Sequence, residues 1–148
     1  MVKIYIDNCC LNRPFDDQTQ VRVRLESEAI LLILYHIEQG DWLWVGSEVL
    51  IDEIEQTPDP EKRSRLQVVA NYVQDIVEVN EPELKRAHEL QKLGFQGYDA
   101  LHIACAEYAK ADVLLTTDDH LVKLAKRFTK KLGVAVVNPL VWLEAMTR

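Results

Sequence analysis

GYDALHIACAEYAKADVLLTTDD, Gly97 to Asp119, joins the two patterns that decide the fold. Tyr98 to Lys110 is rich in alanine and apolar almost all round, as expected of a helix buried at the centre of a domain. Val113 to Thr116 is a short apolar run behind a polar break, which reads as a buried strand. Yet Asp99 opens the helix, and Asp118 and Asp119 stand directly behind the strand. A carboxylate is costly to desolvate unless something positive compensates it. These acids press against segments that read as core, so they need a partner.

The helix–strand alternation continues in both directions. Val2 to Ile6 reads as a strand that ends at Asp7. Gln20 to Gln39 reads as a long helix with Leu25, Ala29, Leu32 and Ile33 at helical spacing and Gly40 as its stop. Trp42 to Val45 is a second strand. Ser47 is a good cap for a helix from Ser47 to Gln56, which ends before Pro58. Glu61 to Gln74 reads as helix, Ile76 to Val79 as a short strand, and Glu81 to Leu93 as a helix ended by Gly94. Beyond Asp119, His120 to Leu132 reads as helix and Val134 to Val137 as strand. Pro139 opens a last helix through Ala145. Such alternation predicts an α/β chain with a parallel sheet covered on both faces. Right-handed crossovers bring the strand ends to one edge, and ligands bind outside that carboxyl edge. Asp7 and Asp118 both fall there.

Composition narrows the class. A chain of 148 residues with 48% hydrophobic content suggests one domain, residues 1–148, with a substantial core. No apolar run approaches the ~18 residues of a membrane span. The opening MVKIYIDNCC reaches an acid too early for a signal peptide, so the expected location is cytoplasmic. Cys9, Cys10 and Cys105 are odd in number and lack a C-x-x-C spacing, which argues for reduced thiols rather than a disulfide framework or zinc knuckle. A net charge of −7 does not advertise a nucleic-acid binder. Basic residues do cluster locally: Lys123, Lys126, Arg127, Lys130 and Lys131 toward the end, and Arg13, Arg22 and Arg24 near the start. The first group is either a solvated helix face or a set of phosphate contacts.

Taken singly, each acid has a plain structural reading. Asp99, Asp118 and Asp119 can cap or open helices, and Asp7 can shape a turn. Glu53 is more telling. Glu48, Asp52 and Glu55 share a solvated face, whereas Glu53 borders the apolar stripe, with no lysine or arginine spaced to meet it. Taken together, carboxylates converging on one sheet edge raise one another's pKa, and a divalent cation relieves that cost. Oxygen-only ligands suit Mg²⁺ or Mn²⁺, and such a pocket suits phosphoryl chemistry by a metal-activated water. His102, one turn from Asp99, reads first as a hydrogen-bonded core residue. Trp42, Trp44 and Trp142 read as packing.

These residues resemble the PIN domains over nearly the whole chain. IYIDNCCLNRP is similar to the family's opening strand and gives Asp7. VGSEVLIDEI matches a strand, a serine and a helix with an inward glutamate, giving Glu53. YDALHIACA is the most specific match and gives Asp99. LLTTDD gives Asp118, with Thr116 beside it and Asp119 as a further ligand candidate. Asn8 stands where the family usually has serine or threonine, and NRPFDDQTQVRVR is not part of the common pattern. Arg13, Asp16 and Asp17 within it could line the site mouth or cap the helix.

The resemblance implies a three-layer α/β/α sandwich and a Mg²⁺- or Mn²⁺-dependent endoribonuclease. Its metal ligands would be Asp7, Glu53, Asp99 and Asp118, with Asp119 as a further candidate; for an RNA substrate the basic residues Arg13, Lys123, Lys126 and Arg127 are the candidates for phosphate contact. It further implies the toxin of a VapBC-type pair, a small basic antitoxin and a homodimer. The alternative is a partner-binding module that keeps the fold without the chemistry. A haloacid-dehalogenase-like phosphatase would want an acid where Cys9 stands. A receiver domain would want a lysine that LLTTDDHL and VVNPLVW do not offer.

Overall fold

The computed structural model describes residues 1–147. Five strands form one parallel sheet: β1 (Lys3–Ile6), β2 (Leu43–Ser47), β3 (Asp75–Val77), β4 (Val113–Leu115) and β5 (Ala135–Val137). Their spatial order is β3-β2-β1-β4-β5. From β1 the chain builds outward to β2 and β3, then returns to β4 on the other flank. The order reverses between β1 and β4, where Tyr5 is in register with Leu114. A crevice outside the carboxyl ends of the two diverging strands is the usual ligand position in such sheets.

The helices are α1 (Asn8–Asn12), α2 (Val21–Glu38), α3 (Glu48–Glu55), α4 (Pro60–Ala70), α5 (Glu81–Lys92), α6 (Gly97–Tyr108), α7 (Asp119–Arg127) and α8 (Pro139–Met146). Strand alternation divides the core in two. Tyr5, Val45 and Leu114 point to a layer of α5, α6 and α7 through Leu90, Ala100, Ile103 and Leu121. Ile4, Ile6, Trp44 and Leu115 point to the opposite layer, where Ile30 and Ile33 of α2 meet Leu66 of α4 and Trp142 of α8. This is the expected α/β/α sandwich. Val49 of α3 joins the first cluster and Leu50 the second, so α3 reaches the cores on both faces of the sheet.

Three local expectations change. Asn8–Asn12 is a helix and Arg13–Phe15 a 3-10 turn, where the sequence suggested neither. The helix expected over His120–Leu132 stops at Arg127, and a separate 3-10 turn covers Thr129–Lys131. On α2, Leu25 and Leu32 are 41% and 52% exposed. The buried stripe runs instead through Val23, Glu26, Ile30, Ile33 and Ile37. It is rotated because the buried carboxylate of Glu26 takes an inward position that a purely apolar pattern gives to leucine.

Candidate active site

Four strands lead into helices with a side-chain cap. Asp7 caps α1, Ser47 caps α3, Asp118 caps α7 and Asn138 caps α8, each accepting a backbone N–H. A cap satisfies donors that the first helical turn leaves open. Because all strands run the same way, these caps gather on one edge of the sheet. Asp7 and Asp118 flank the β1/β4 crevice, and α6 brings in Asp99.

Asp7 is 6% exposed. Its Oδ1 accepts from the Cys10 N–H at 3.1 Å and from the Cys9 thiol at 2.9 Å. Burial holds the Asp7 carboxyl well above the usual range, and Cys9 pushes it further; the Thr116 hydroxyl and Cys10 N–H act the other way. Asp118 Oδ1 accepts from the N–H groups of His120 (2.9 Å) and Leu121 (3.3 Å). Thr116 is fully buried, and its Oγ1 accepts the Asp118 N–H at 3.1 Å. Asn8 turns along α1, where its Oδ1 accepts from Asn12 at 3.0 Å.

Asp99 registers the other acids electrostatically. Its carboxyl is pushed up to about 6, first by burial, then by the charges of Asp7 and Asp118; His102 opposes them and Glu53 adds a smaller push. Like charges within a few ångströms have this effect. Glu53, which lacked a partner in the sequence, finds one in His102, whose Nε2 meets its Oε1. The pair lies 49 residues apart in the chain, so local spacing could not reveal it.

Asp119 is placed differently. Both of its oxygens accept from the Arg22 guanidinium, at 2.6 and 2.7 Å, which lowers its pKa. Its side chain is 59% exposed, and a pair so open to water is weak. Arg13 is occupied too, with Glu26 at 2.7 Å and Asp16 at 3.2 Å. Lys123 lies one turn into α7, whereas Lys126 and Arg127 sit in its last turn. Nine residues of α-helix span ~13 Å, so the last turn lies well away from Asp118, toward the edge where β5 begins.

Cys9 is the site residue that sequence reading passed over. Its sulfur meets Asp7, accepts from Thr117 Oγ1 at 3.2 Å and lies 3.3 Å from Thr116 Oγ1. The donor atoms of Asp7, Cys9 and Cys10 lie within 4.8 Å of one another. The spacing of Asp7, Cys9 and the threonine pair could have signalled this only with the β1–β4 pairing known. The other cysteines are buried free thiols, as expected.

Asp99 feels the charges of Asp7, Asp118 and Glu53, and carboxylate oxygens suit a hard divalent cation; among the described residues the donor atoms that lie within 4.8 Å of one another are those of Asp7, Cys9 and Cys10. A family model for the PIN domain matches residues 4–127. No curated protein matches the chain. Among solved structures, FitAcB from Neisseria gonorrhoeae is similar, with a TM-score of 0.61 and 18% identity, covering 92% of this chain and 97% of that one. VapBC2 from Rickettsia felis, bound to a DNA fragment from its promoter, gives 0.56 and 15%, covering 93% and 98%. VapBC-1 from nontypeable Haemophilus influenzae gives 0.55 and 17%, covering 94% and 98%.

Proposed function

The chain belongs to the PIN-domain family, and from that premise we propose that it is a metal-dependent endoribonuclease, the toxin of a type II toxin–antitoxin pair, formed as one domain over residues 1–148. The observation that carries this reading is the placing of Asp7 and Asp118 as helix caps behind β1 and β4 on one sheet edge, with Asp99 near enough to feel both charges. Carboxylates gathered in this way are suited to a cation.

Asp7, Asp99, Asp118 and Glu53 would hold Mg²⁺ or Mn²⁺. Bound there, the cation would neutralise charge building on a phosphodiester and activate the attacking water. The residues of the chain set the stage for it. The Cys10 N–H orients Asp7, the first turn of α7 fixes Asp118, and His102 fixes Glu53. Asp119 can join the set only by releasing Arg22. The likeness to FitAcB and VapBC structures supports a protein partner, as does an apolar groove of about 600 Å³ beside the Arg22–Asp119 pair, lined by Val21, Leu25, Leu140 and Val141. A basic antitoxin suits the −7 charge. The exposed Leu31, Leu32 and Tyr35 of α2 are available to a second copy of the chain. No helix among the described residues is long and apolar enough to cross a membrane, in keeping with a cytoplasmic toxin.

Asp99→Asn tests the reading. The amide keeps the shape and removes one charge from the cluster. The metal-free variant should be at least as stable as wild type, its stabilisation by Mn²⁺ should shrink, and cleavage of a mixed RNA pool should fall by about 10²-fold or more. Thermal melts with and without metal, beside the cleavage assay, decide it. A folded variant that cleaves at the wild-type rate removes Asp99 from the site. A wild type that neither binds metal nor cleaves RNA leaves a partner-binding module.

A further inference from the structure

Ser47, Tyr5, His102 and Glu53 form one continuous hydrogen-bonded chain. Tyr5 Oη lies 2.6 Å from Ser47 Oγ and 2.6 Å from His102 Nδ1, and His102 Nε2 meets Glu53 Oε1. Tyr5 and Ser47 are fully buried, and His102 is 3% exposed. Water therefore does not compete for the two Tyr5 contacts, and between an ionised Glu53 and a neutral His102 the direction of each bond follows from counting hydrogens.

The count starts at Glu53. An ionised carboxylate only accepts, so His102 must donate from Nε2. A neutral imidazole then has Nδ1 as an acceptor, and the only hydrogen available to it is that of the Tyr5 hydroxyl. With its hydrogen used, Tyr5 Oη accepts from Ser47. Ser47 Oγ in turn accepts the Leu50 N–H at 3.2 Å. Every hydrogen in the chain has an acceptor. The reverse direction, with a hydrogen on Nδ1, drives Tyr5 to donate to Ser47 and leaves the Ser47 hydrogen only the weakly accepting sulfur of Cys105.

We propose that His102 is a positioning residue for Glu53, its Nε2 held on the carboxylate by the contact of Nδ1 with Tyr5, which Ser47 holds in turn. The chain closes on itself through the fold. Ser47 caps α3, the helix that carries Glu53. Tyr5 precedes Asp7 by two residues on β1, and His102 follows Asp99 by one turn of α6. One buried relay thus binds together the three elements that supply Asp7, Glu53 and Asp99. It anchors Oε1 of Glu53, while Oε2 carries no protein hydrogen bond among the described residues. A carboxylate held by one oxygen presents the other in a fixed direction, as residues behind a metal ligand do elsewhere. The inference rests on the metal-dependent nuclease reading for its Mn²⁺-affinity and kinetic consequences, and stands apart from it for the state of the His102 ring.

Two readouts test it. The first is ¹⁵N NMR of the histidine rings in the metal-free protein. His102 should carry a hydrogen on Nε2 in wild type, and its ring signals should move in Tyr5→Phe and in Glu53→Gln. A ring without a hydrogen on Nε2 in wild type overturns the relay. The second is Mn²⁺ affinity by calorimetry. His102→Phe should weaken it by about ten-fold or more, within the range for residues that orient a metal ligand. His102→Gln, whose amide nitrogen can take the place of Nε2, should restore most of it, and with RNA kcat should recover while KM stays level. If His102→Phe fails to fold, His102→Gln against His102→Asn makes the same comparison, because the shorter asparagine reproduces the Nδ1 side and not the Nε2 side. Equal Mn²⁺ affinity in wild type and folded His102→Phe, or in the Gln and Asn variants, overturns the positioning role. A wild type that binds no Mn²⁺ sinks the nuclease reading instead, and the state of the His102 ring then decides the relay alone.

Discussion

Asp99 couples the stability of this protein to pH in an unusual direction. Its folded pKa of about 6 lies above the ordinary 3.8. A raised carboxyl binds its proton more tightly when folded, so its contribution to stability is complete below the ordinary value and is lost as pH rises through about 6. Asp7, raised by burial, acts in the same sense. The stability of the metal-free protein relative to Asp99→Asn should therefore fall between about pH 4 and pH 6. Stabilisation by Mn²⁺ should grow over the same interval, because a cation needs the ionised form. Paired melts of the two proteins across pH check both; a flat difference would mean that Asp99 feels none of its neighbours. The sequence made this residue legible because an acid, ordinary as a helix opener, here heads a helix that is apolar almost all round. It did not make Cys9 legible, since a thiol breaks no pattern, and its place beside Thr116 and Thr117 exists only once β1 lies against β4.

At the scale of elements, the stretch between Asn12 and Arg24 finds its explanation in α2. Glu26 is 1% exposed and accepts from Arg13 (2.7 Å), Arg22 (3.2 Å) and Asn138 Nδ2 (2.6 Å). Ser27 also donates to the Arg13 carbonyl at 3.1 Å. One buried carboxylate thereby fastens the 3-10 turn and the first turn of α2 to the loop that leads from β5 into α8. Glu26→Ala removes the acceptor, leaves Arg13 Nε and Asn138 Nδ2 without this partner and should cost about 1–3 kcal/mol, the usual penalty for stranding hydrogen-bond donors. Urea unfolding measures it, and a loss below about 1 kcal/mol would place the pair in the surface class. Sequence reading missed this element because Arg22 and Glu26 are four apart and look like an ordinary surface pair, while Asn138 is 112 residues away. Helix periods, caps and strand ends were readable because they are local. Register and burial of a charge were not.

At the scale of the molecule, alternating strands and helices announced a parallel sheet, but nothing local announced the order β3-β2-β1-β4-β5 that puts the reversal beside Asp7. Order depends on which strands pair, and it decides where charge ends up. The acids collect at the carboxyl edge. Lys126, Arg127, Lys130 and Lys131 collect at the far end of α7, where Arg127 and Lys131 lie over the Phe128 ring. With a net charge of −7, this basic end is the place where an extended polyanion gains most. On the nuclease reading, an RNA reaching from the acids along α7 meets the lysines only if it is long enough to cross the ~13 Å of the helix. Each neutralised phosphate of a single strand contributes a slope of about −0.7 to the dependence of log affinity on log salt. Lys126→Ala with Arg127→Ala should therefore weaken binding of a long single strand and flatten its salt slope by about 1.4. Cleavage of a short oligonucleotide that spans only the acidic crevice should keep its rate. Binding of a non-cleavable long strand across salt concentrations, beside cleavage of the short one, separates the outcomes. Equal losses on both lengths would bring the basic end into the reacting region. No change on either would leave it a solvated face, and the RNA would have to approach the acids from the Arg13–Arg22 side.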